Sequence, residues 1–369
     1  MNNYQTNPLG AYLDSFYIVK LKIKHDFEVR SVVLVGEEDT LLENINTNYY
    51  QDYKVITLRS NDKINPQSDY VVLVNNELKF HLNVGAITLT KEFEEEYFFN
   101  DWLGFKYTKS NVTFRLYAPV SKEVVLVINE NKTYLMNQLE KGVYEAKLTN
   151  KNEWLDGASY YFEIRNDEVM FDVIDPYGMA INSEFTRCFI FDKKKTYQLK
   201  HSYVSLKDNN KEYSIIYEMS VRDFTISLPL LHKGEFLGIV ESSKIEGQGI
   251  NYIKDLGITH VQLGPVFAFG GVNYIAKNSY QAGFKYNWGY NPILYNALCG
   301  WFASNPNNPY SVINEFKMMV DTFHENNIGV IMDVVYNHTA NNDDSNFSLT
   351  APGYYYRYRQ DGSYSDASG

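Results

Sequence analysis

The chain has 369 residues, enough for two or three domains with separate cores, and a net charge of −11 that argues against a nucleic-acid partner. Its only cysteines, Cys188 and Cys299, are far apart, which excludes a disulfide framework or a cysteine-based zinc site and reads as two buried thiols. No apolar run approaches the roughly 20 residues of a membrane helix, and Met1 to Pro8 lacks a basic-then-apolar leader, so no membrane partner and a cytoplasmic location are expected.

Residues 1–100 read as a small β-rich domain. Tyr17 to Ile23, Val29 to Val35, Tyr53 to Leu58 and Tyr70 to Val74 have strand composition and are separated by Asn, Asp and Glu clusters. From about Trp102 the pattern sharpens: Val112 to Tyr117 alternates, Glu123 to Ile128 is a buried apolar strand, and Val143 to Leu148 and Ser159 to Ile164 continue the series. Strands at regular spacing without helical period predict an immunoglobulin-like β-sandwich over residues 101–195. The polar stretch Asp192 to Glu212 reads as a linker into residues 196–369.

After Tyr213 the period changes. Ser214 to Met219 reads as a strand, and Ile250 to Leu256 carries apolar residues at helical spacing before Gly257, a suitable residue just past a helix end. Ile258 to Leu263 is a second strand. Val312, Ile313, Phe316, Met319, Val320 and Phe323 form one apolar stripe on a helix opened near Pro309, and Ile328 to Val335 is a third strand. Strand, helix, strand, helix, strand implies parallel pairing through right-handed crossovers, so this third part is α/β.

In such architectures functional groups gather at the C-terminal ends of the strands. Three ends are readable: Glu218, Arg222 and Asp223 follow the first, Gln262 lies on the second, and Asp333, Tyr336, Asn337 and His338 follow the third. The last group mixes donors and acceptors within six positions and suits either a polyol or a metal. Between the second and third strands lies a long aromatic segment, Tyr280 to Trp301, read as a functional loop. Trp288 and Tyr290 within it offer flat apolar faces with a polar edge, as sugar stacking requires. The 32 tyrosines fit a sugar-binding surface, although AT-rich codon usage accounts for them equally well. Gly270, Gly271 and Gly289 form no phosphate cradle ahead of a helix, which disfavours a nucleotide site.

At these residues the sequence resembles the α-amylase superfamily of glycoside hydrolases, and within it type I pullulanases. Asp333-Val334-Val335-Tyr336-Asn337-His338 is similar to the first signature region of that superfamily, and Tyr286-Asn287-Trp288-Gly289-Tyr290-Asn291-Pro292 closely resembles the heptapeptide YNWGYDP that marks pullulanases. Residues 101–195, from Leu103-Gly104 through Ala118-Pro119 to Asp175-Pro176-Tyr177, resemble a family 48 carbohydrate-binding module. The resemblance implies the first three β/α units of a TIM (β/α)8 barrel over 196–369, and α-glucans such as pullulan, glycogen or starch-derived branched oligosaccharides as partners. It also implies that Tyr290 stacks under a sugar, that His338 bonds its hydroxyls, and that Asp333 orients the site. Trp288 and Asn291 are the further substrate-binding candidates; Asn291 stands where the pullulanase heptapeptide has Asp. Asn337 matches a position that ligates calcium in many members of the superfamily. No cofactor is required, and calcium is the one metal the resemblance admits.

Retaining glycosidases need two carboxyls about 5–5.5 Å apart. In the superfamily these follow the fourth and fifth strands, so no catalytic carboxylate is expected among these residues; Asp343, Asp344, Asp361 and Asp366 are the only ones downstream of the third-strand motif. The expectation is the N-terminal portion of a pullulanase-like hydrolase of α-1,6 linkages. A non-catalytic α-glucan-binding protein, or a fragment of another superfamily enzyme, is the alternative. A three-stranded parallel sheet is also expected to leave apolar edges exposed and the C-terminal part poorly stable by itself.

Overall fold

The computed structural model describes residues 8–203, 213–272, 286–359 and 363–365. Eight strands of the N-terminal domain hydrogen-bond in the spatial order Thr40–Leu41, Val32–Val35, Val71–Val74, Leu78–Val84, Gly10–Ser15, Ile18–Lys24, Tyr53–Arg59 and Glu43–Tyr49. Gly10–Ser15 pairs in parallel with Leu78–Val84, and the other neighbours are antiparallel. Alternation drives the layering: Val19, Leu21 and Ile23 turn to one face and are buried. The hairpin joining Val71–Val74 to Leu78–Val84 turns on Asn75 and Asn76, both at positive φ, the conformation that asparagine tolerates and that matches strand twist. Helix Lys91–Tyr97, which strand composition did not foretell, is capped by the Thr90 hydroxyl accepting the Phe93 N–H. Four residues apart, Phe93 and Tyr97 stack at 4.4 Å between ring centroids and close the core beneath Phe16.

The next domain is the expected sandwich. One sheet holds Asn137–Gln138, Val143–Thr149, Asn111–Tyr117 and Gly104–Tyr107; the other holds Lys132–Leu135, Glu123–Ile128, Ser159–Asn166 and Val169–Val173, with Cys188–Phe189 added beside Ser159–Asn166. Phe114, Tyr160 and Phe162 are fully buried between the sheets, Phe114 and Tyr160 meeting edge to face at 5.1 Å. Cys188 and Cys299 are buried free thiols. Gly178 leaves room for the Cys188 sulfur, which would lie 2.4 Å from any added Cβ. The sandwich is fastened to the N-terminal domain by polar contacts: Arg165 makes two 2.9 Å bonds to the Asp69 carboxylate, and Asp167 accepts the Val84 N–H.

Two expectations about the chain after residue 191 are corrected. Asp192 to Tyr203 is a strap rather than a loose linker, because helix Pro309–Glu325 offers it buried partners. Asp321, 4% exposed, accepts the Lys200 and His201 N–H groups and the Tyr197 hydroxyl, while the Tyr197 N–H donates to Asn314. The rest of that expected linker, 204–212, lies outside the described residues. Second, the long loop contains a strand: Pro292–Leu298 pairs antiparallel with Phe267–Phe269. Its residues serve two cores, Leu294 and Ala297 joining the sandwich core with Ala268 of the partner strand, and Leu298 packing on the α/β core with Phe267 and Phe269 of the partner strand. Aromatic content and flanking glycines hid that alternation. The loop's start, 280–285, lies outside the described residues.

The α/β part is built as its periods imply. Ile216–Met219 pairs in parallel with His260–Leu263, which pairs in parallel with Gly329–Met332. Helix Gly249–Asp255 precedes Gly257 at φ +75°, and helix Pro309–Glu325 starts with Pro309 after Asn308, whose side chain accepts the Tyr310 and Ser311 N–H groups. The short helices Val221–Thr225 and Phe236–Ser242 add to the expected set. The third strand is shorter than expected. The Asp333 N–H still bonds to the Leu263 carbonyl, after which the chain leaves the sheet while Val335 stays buried. Ile216 and Met332, on the two flanking strands, are 50% and 42% exposed.

Asp175 of the sandwich makes pH dependence testable. Its carboxylate is fully buried and accepts the Tyr160 hydroxyl at 2.7 Å and the Tyr177 N–H at 2.8 Å. Burial outweighs these bonds and pushes the carboxyl up from 3.8 to about 6. A pKa raised by folding contributes stability that is full below the unfolded value and lost as pH rises through the folded one. Asp175→Asn cannot ionise, so its stability relative to the parent should rise by about 2 kcal/mol between about pH 4 and pH 7. Urea unfolding midpoints across that range measure it; a difference independent of pH would refute the assignment.

Candidate functional site

The ends of the three parallel strands are joined by the segment Tyr286 to Pro292. After the first strand, Ser220 caps helix Val221–Thr225 by accepting the Asp223 N–H. Buried Arg222 donates to Asp223 at 3.0 Å, and the Tyr286 hydroxyl donates to the other Asp223 oxygen. The heptapeptide is thereby tied to the first β/α unit. Gly289 sits at φ +90° with Pro265 and Phe269 only 2.9–3.1 Å from where a Cβ would stand. No other residue fits both the space and the dihedral, and the tight approach sets Trp288 and Tyr290 on either side of it.

Tyr290 is held from two directions. Its hydroxyl donates to Asp333 at 2.7 Å, and its backbone carbonyl faces His338 Nε2 at 2.7 Å. A carbonyl oxygen only accepts, so Nε2 carries the proton of that bond. Nδ1 of the same ring lies 3.1 Å from the Asn337 side-chain oxygen, a contact that is a hydrogen bond only when Nδ1 is protonated as well. The ring of Tyr290 remains 38% exposed and that of Trp288 74% exposed, Trp288 resting edge-on against Tyr286 at 5.9 Å. Together they border a cavity of about 340 Å³ lined also by Glu218, Arg222, Asp223 and Trp301. Exposed aromatic faces beside fixed carboxylates and one guanidinium suit an uncharged polyhydroxyl molecule, which offers C–H faces to the rings and hydroxyls to the rim.

Of the expected site residues, Tyr290, Asp333 and His338 form one bonded group, with Asn337 attached through His338. Trp288 shares the cavity without touching that group. Asn291 points elsewhere: its amide donates to the Gly270 carbonyl at 3.0 Å, as does that of Asn287, so both asparagines pin the heptapeptide to the preceding strand. Calcium needs six to eight oxygen ligands. Among the described residues no group of three or more His, Cys, Asp or Glu side chains is placed to hold a metal, and the Asn337 side-chain oxygen lies 3.1 Å from His338 Nδ1. Asp361 and Asp366 lie outside the described residues. Sequence reading missed the Tyr286–Asp223 bond and the Tyr295 hydroxyl, which donates to the His338 carbonyl at 2.9 Å. Only the β-like alternation after Pro292 signalled the second.

The Asp333 hydrogen bond, then burial, then the charge of the same carboxylate push the Tyr290 phenol up to about 12. Asp333→Asn should return it toward 10, read from tyrosine ring-carbon shifts in an NMR titration; an unchanged value would show that the carboxylate does not control the phenol.

Comparison with known proteins agrees with this arrangement. Residues 102–178 match the family model "Carbohydrate-binding module 48 (Isoamylase N-terminal domain)", and residues 205–352 match "Alpha amylase, catalytic domain". Pullulanase of Bacillus subtilis (strain 168) is 32% identical over 301 residues, which cover 79% of this chain and 40% of that protein. Pullulanase A of Streptococcus pneumoniae is 30% identical over 311 residues, 73% of this chain and 23% of that protein. Among solved structures, a pullulanase from Anoxybacillus sp. LM18-11 complexed with maltotriose superposes with a TM-score of 0.86 at 29% identity, over 97% of this chain and 52% of that one. Type I pullulanase from B. subtilis complexed with maltose gives 0.84 at 30% identity, over 96% and 50%. The chain thus spans less than half the length of these curated relatives and about half of the solved ones. With a family 48 module leading into three α/β strands joined by a pullulanase-like heptapeptide, the chain carries part of an α-amylase catalytic domain and resembles the N-terminal half of type I pullulanases.

Proposed function

We propose that this chain is the glucan-holding portion of a debranching glycoside hydrolase that cleaves α-1,6 linkages in pullulan, glycogen or starch-derived branched oligosaccharides. The observation that carries the reading is Tyr290, an exposed ring locked through Asp333 and His338 at the ends of the parallel strands. A ring fixed in this way pays little conformational entropy when a pyranose stacks on it. Asp333 stands at its edge, where sugar hydroxyls would meet it, and His338 holds its backbone. The solved relatives bound to maltotriose and maltose, in which the same fold is present, support an α-1,4-linked glucose oligomer as ligand.

Hydrolysis with retention needs a nucleophilic and an acidic carboxyl facing each other across the scissile bond. Of the site carboxylates, Asp223 and Asp333 accept tyrosine hydroxyls, a holding rather than a cutting arrangement, while Glu218 lines the cavity. By the resemblance to the superfamily, the nucleophile and the acid follow the fourth and fifth barrel strands. The same observation favours a second reading for the chain by itself, a non-catalytic α-glucan binder.

Titration calorimetry with maltotriose tests the proposal. The chain should bind, Tyr290→Ala should weaken binding about tenfold, equivalent to about 1.4 kcal/mol, and Trp288→Ala should weaken it less. No reducing ends should be released from pullulan. Release of maltotriose by the chain would place the catalytic carboxylates within it, and absence of any glucan binding would sink both readings.

A further inference from the structure

His338 is held from behind as well as in front. Its backbone carbonyl accepts the hydroxyl of Tyr295, which stands on strand Pro292–Leu298 outside the heptapeptide. Burial first, then Tyr356, push that phenol up to about 12, so at neutral pH it is a permanent donor. The Tyr295 ring packs against Phe347 at 5.7 Å, and Phe347 packs against Tyr355 at 5.1 Å. Tyr355 meets Tyr354 at 5.3 Å, and Tyr354 rests on Tyr117 of the sandwich at 5.4 Å and on Phe93 of the N-terminal domain at 6.4 Å. Backbone bonds fix the same segment: Asn166 donates to the Leu349 carbonyl, and the Ile174 N–H donates to the Asn346 side chain. Ala351 is completely buried against Tyr117 and Val143. An unbroken line of ring contacts thus runs from the N-terminal core to the backbone of the histidine that grips Tyr290.

We propose that Tyr295 is a positioning residue for the cavity, and that residues 346–355 are a tether through which the sandwich and the N-terminal domain hold His338 against Tyr290. The tether makes the site depend on domains that contribute no residue to the cavity lining. That it matters to a glucan rests on the function proposed above; that it positions His338 does not. Contact continuity alone does not demonstrate coupling, so the test reads His338 directly.

In the full chain labelled with ¹⁵N-histidine, the His338 signal is identified by its loss in His338→Gln. The parent should show a proton fixed on Nε2. Tyr295→Phe, which keeps the ring and removes the bond, should average that signal between tautomers and raise the maltotriose Kd about three- to tenfold with the unfolding midpoint nearly unchanged. Tyr354→Phe keeps the tether's ring packing and should leave both readings at parent values, whereas Phe347→Ala, which removes the ring between Tyr295 and Tyr355, should reproduce the Tyr295→Phe spectrum. A His338 signal untouched by Tyr295→Phe would overturn the positioning role, and one untouched by Phe347→Ala would overturn the tether. If the parent binds no maltotriose, the glucan reading falls while the histidine spectrum still decides the positioning.

Discussion

The site depends on one side chain bonded at both of its ends. Tyr290 gives its hydroxyl to Asp333 and its carbonyl to His338, so a segment inserted between the second and third strands is closed against the end of the third. Each bond alone is worth about 1 kcal/mol net in a solvated setting. Their joint effect is geometric: with the backbone held by one bond and the ring tip by the other, rotation about the Cα–Cβ bond breaks the hydroxyl bond. Gly289 supplies the remaining constraint by allowing the backbone to press against Pro265 and Phe269.

Between domains the structure uses buried or half-buried carboxylates where apolar contact alone would let surfaces slide. Asp321 gathers three donors at the strap, Asp167 accepts a backbone N–H across the first junction, and Asp156 accepts the Tyr310 hydroxyl across the second. Such groups are directional, and each is costly to bury without its partners, so the arrangement that satisfies them all is favoured over near alternatives. Apolar burial supplies the adhesion and the carboxylates fix the register.

Much of this was legible in the sequence because it is periodic. Strands Asn111–Tyr117 and Glu123–Ile128 and helix Pro309–Glu325 follow from residues within a few positions of one another, as does the cap at Asn308. The heptapeptide and the Asp333 to His338 group were legible as motifs, and the structure joins them through Tyr290. What stayed hidden was non-local. The Asp192 to Tyr203 strap is polar because its backbone partners sit on a helix over a hundred residues later, and a polar segment with distant partners looks like a linker. Strand Pro292–Leu298 looked like a loop because it serves two cores, each half of its pattern meaningful only beside the other domain. Asn291 drew attention through its motif, whereas its hydrogen bond is made to the Gly270 carbonyl.

The strap carries a consequence for how the molecule assembles. The three donors to Asp321 all come from Asp192 to Tyr203, so docking of the strap exchanges water on that carboxylate for the Tyr197 hydroxyl and the Lys200 and His201 N–H groups. Strap docking closes a chain loop of roughly 120 residues between the partners. The loop-closure cost of that contact exceeds that of the sandwich pairings, which are nearer in sequence.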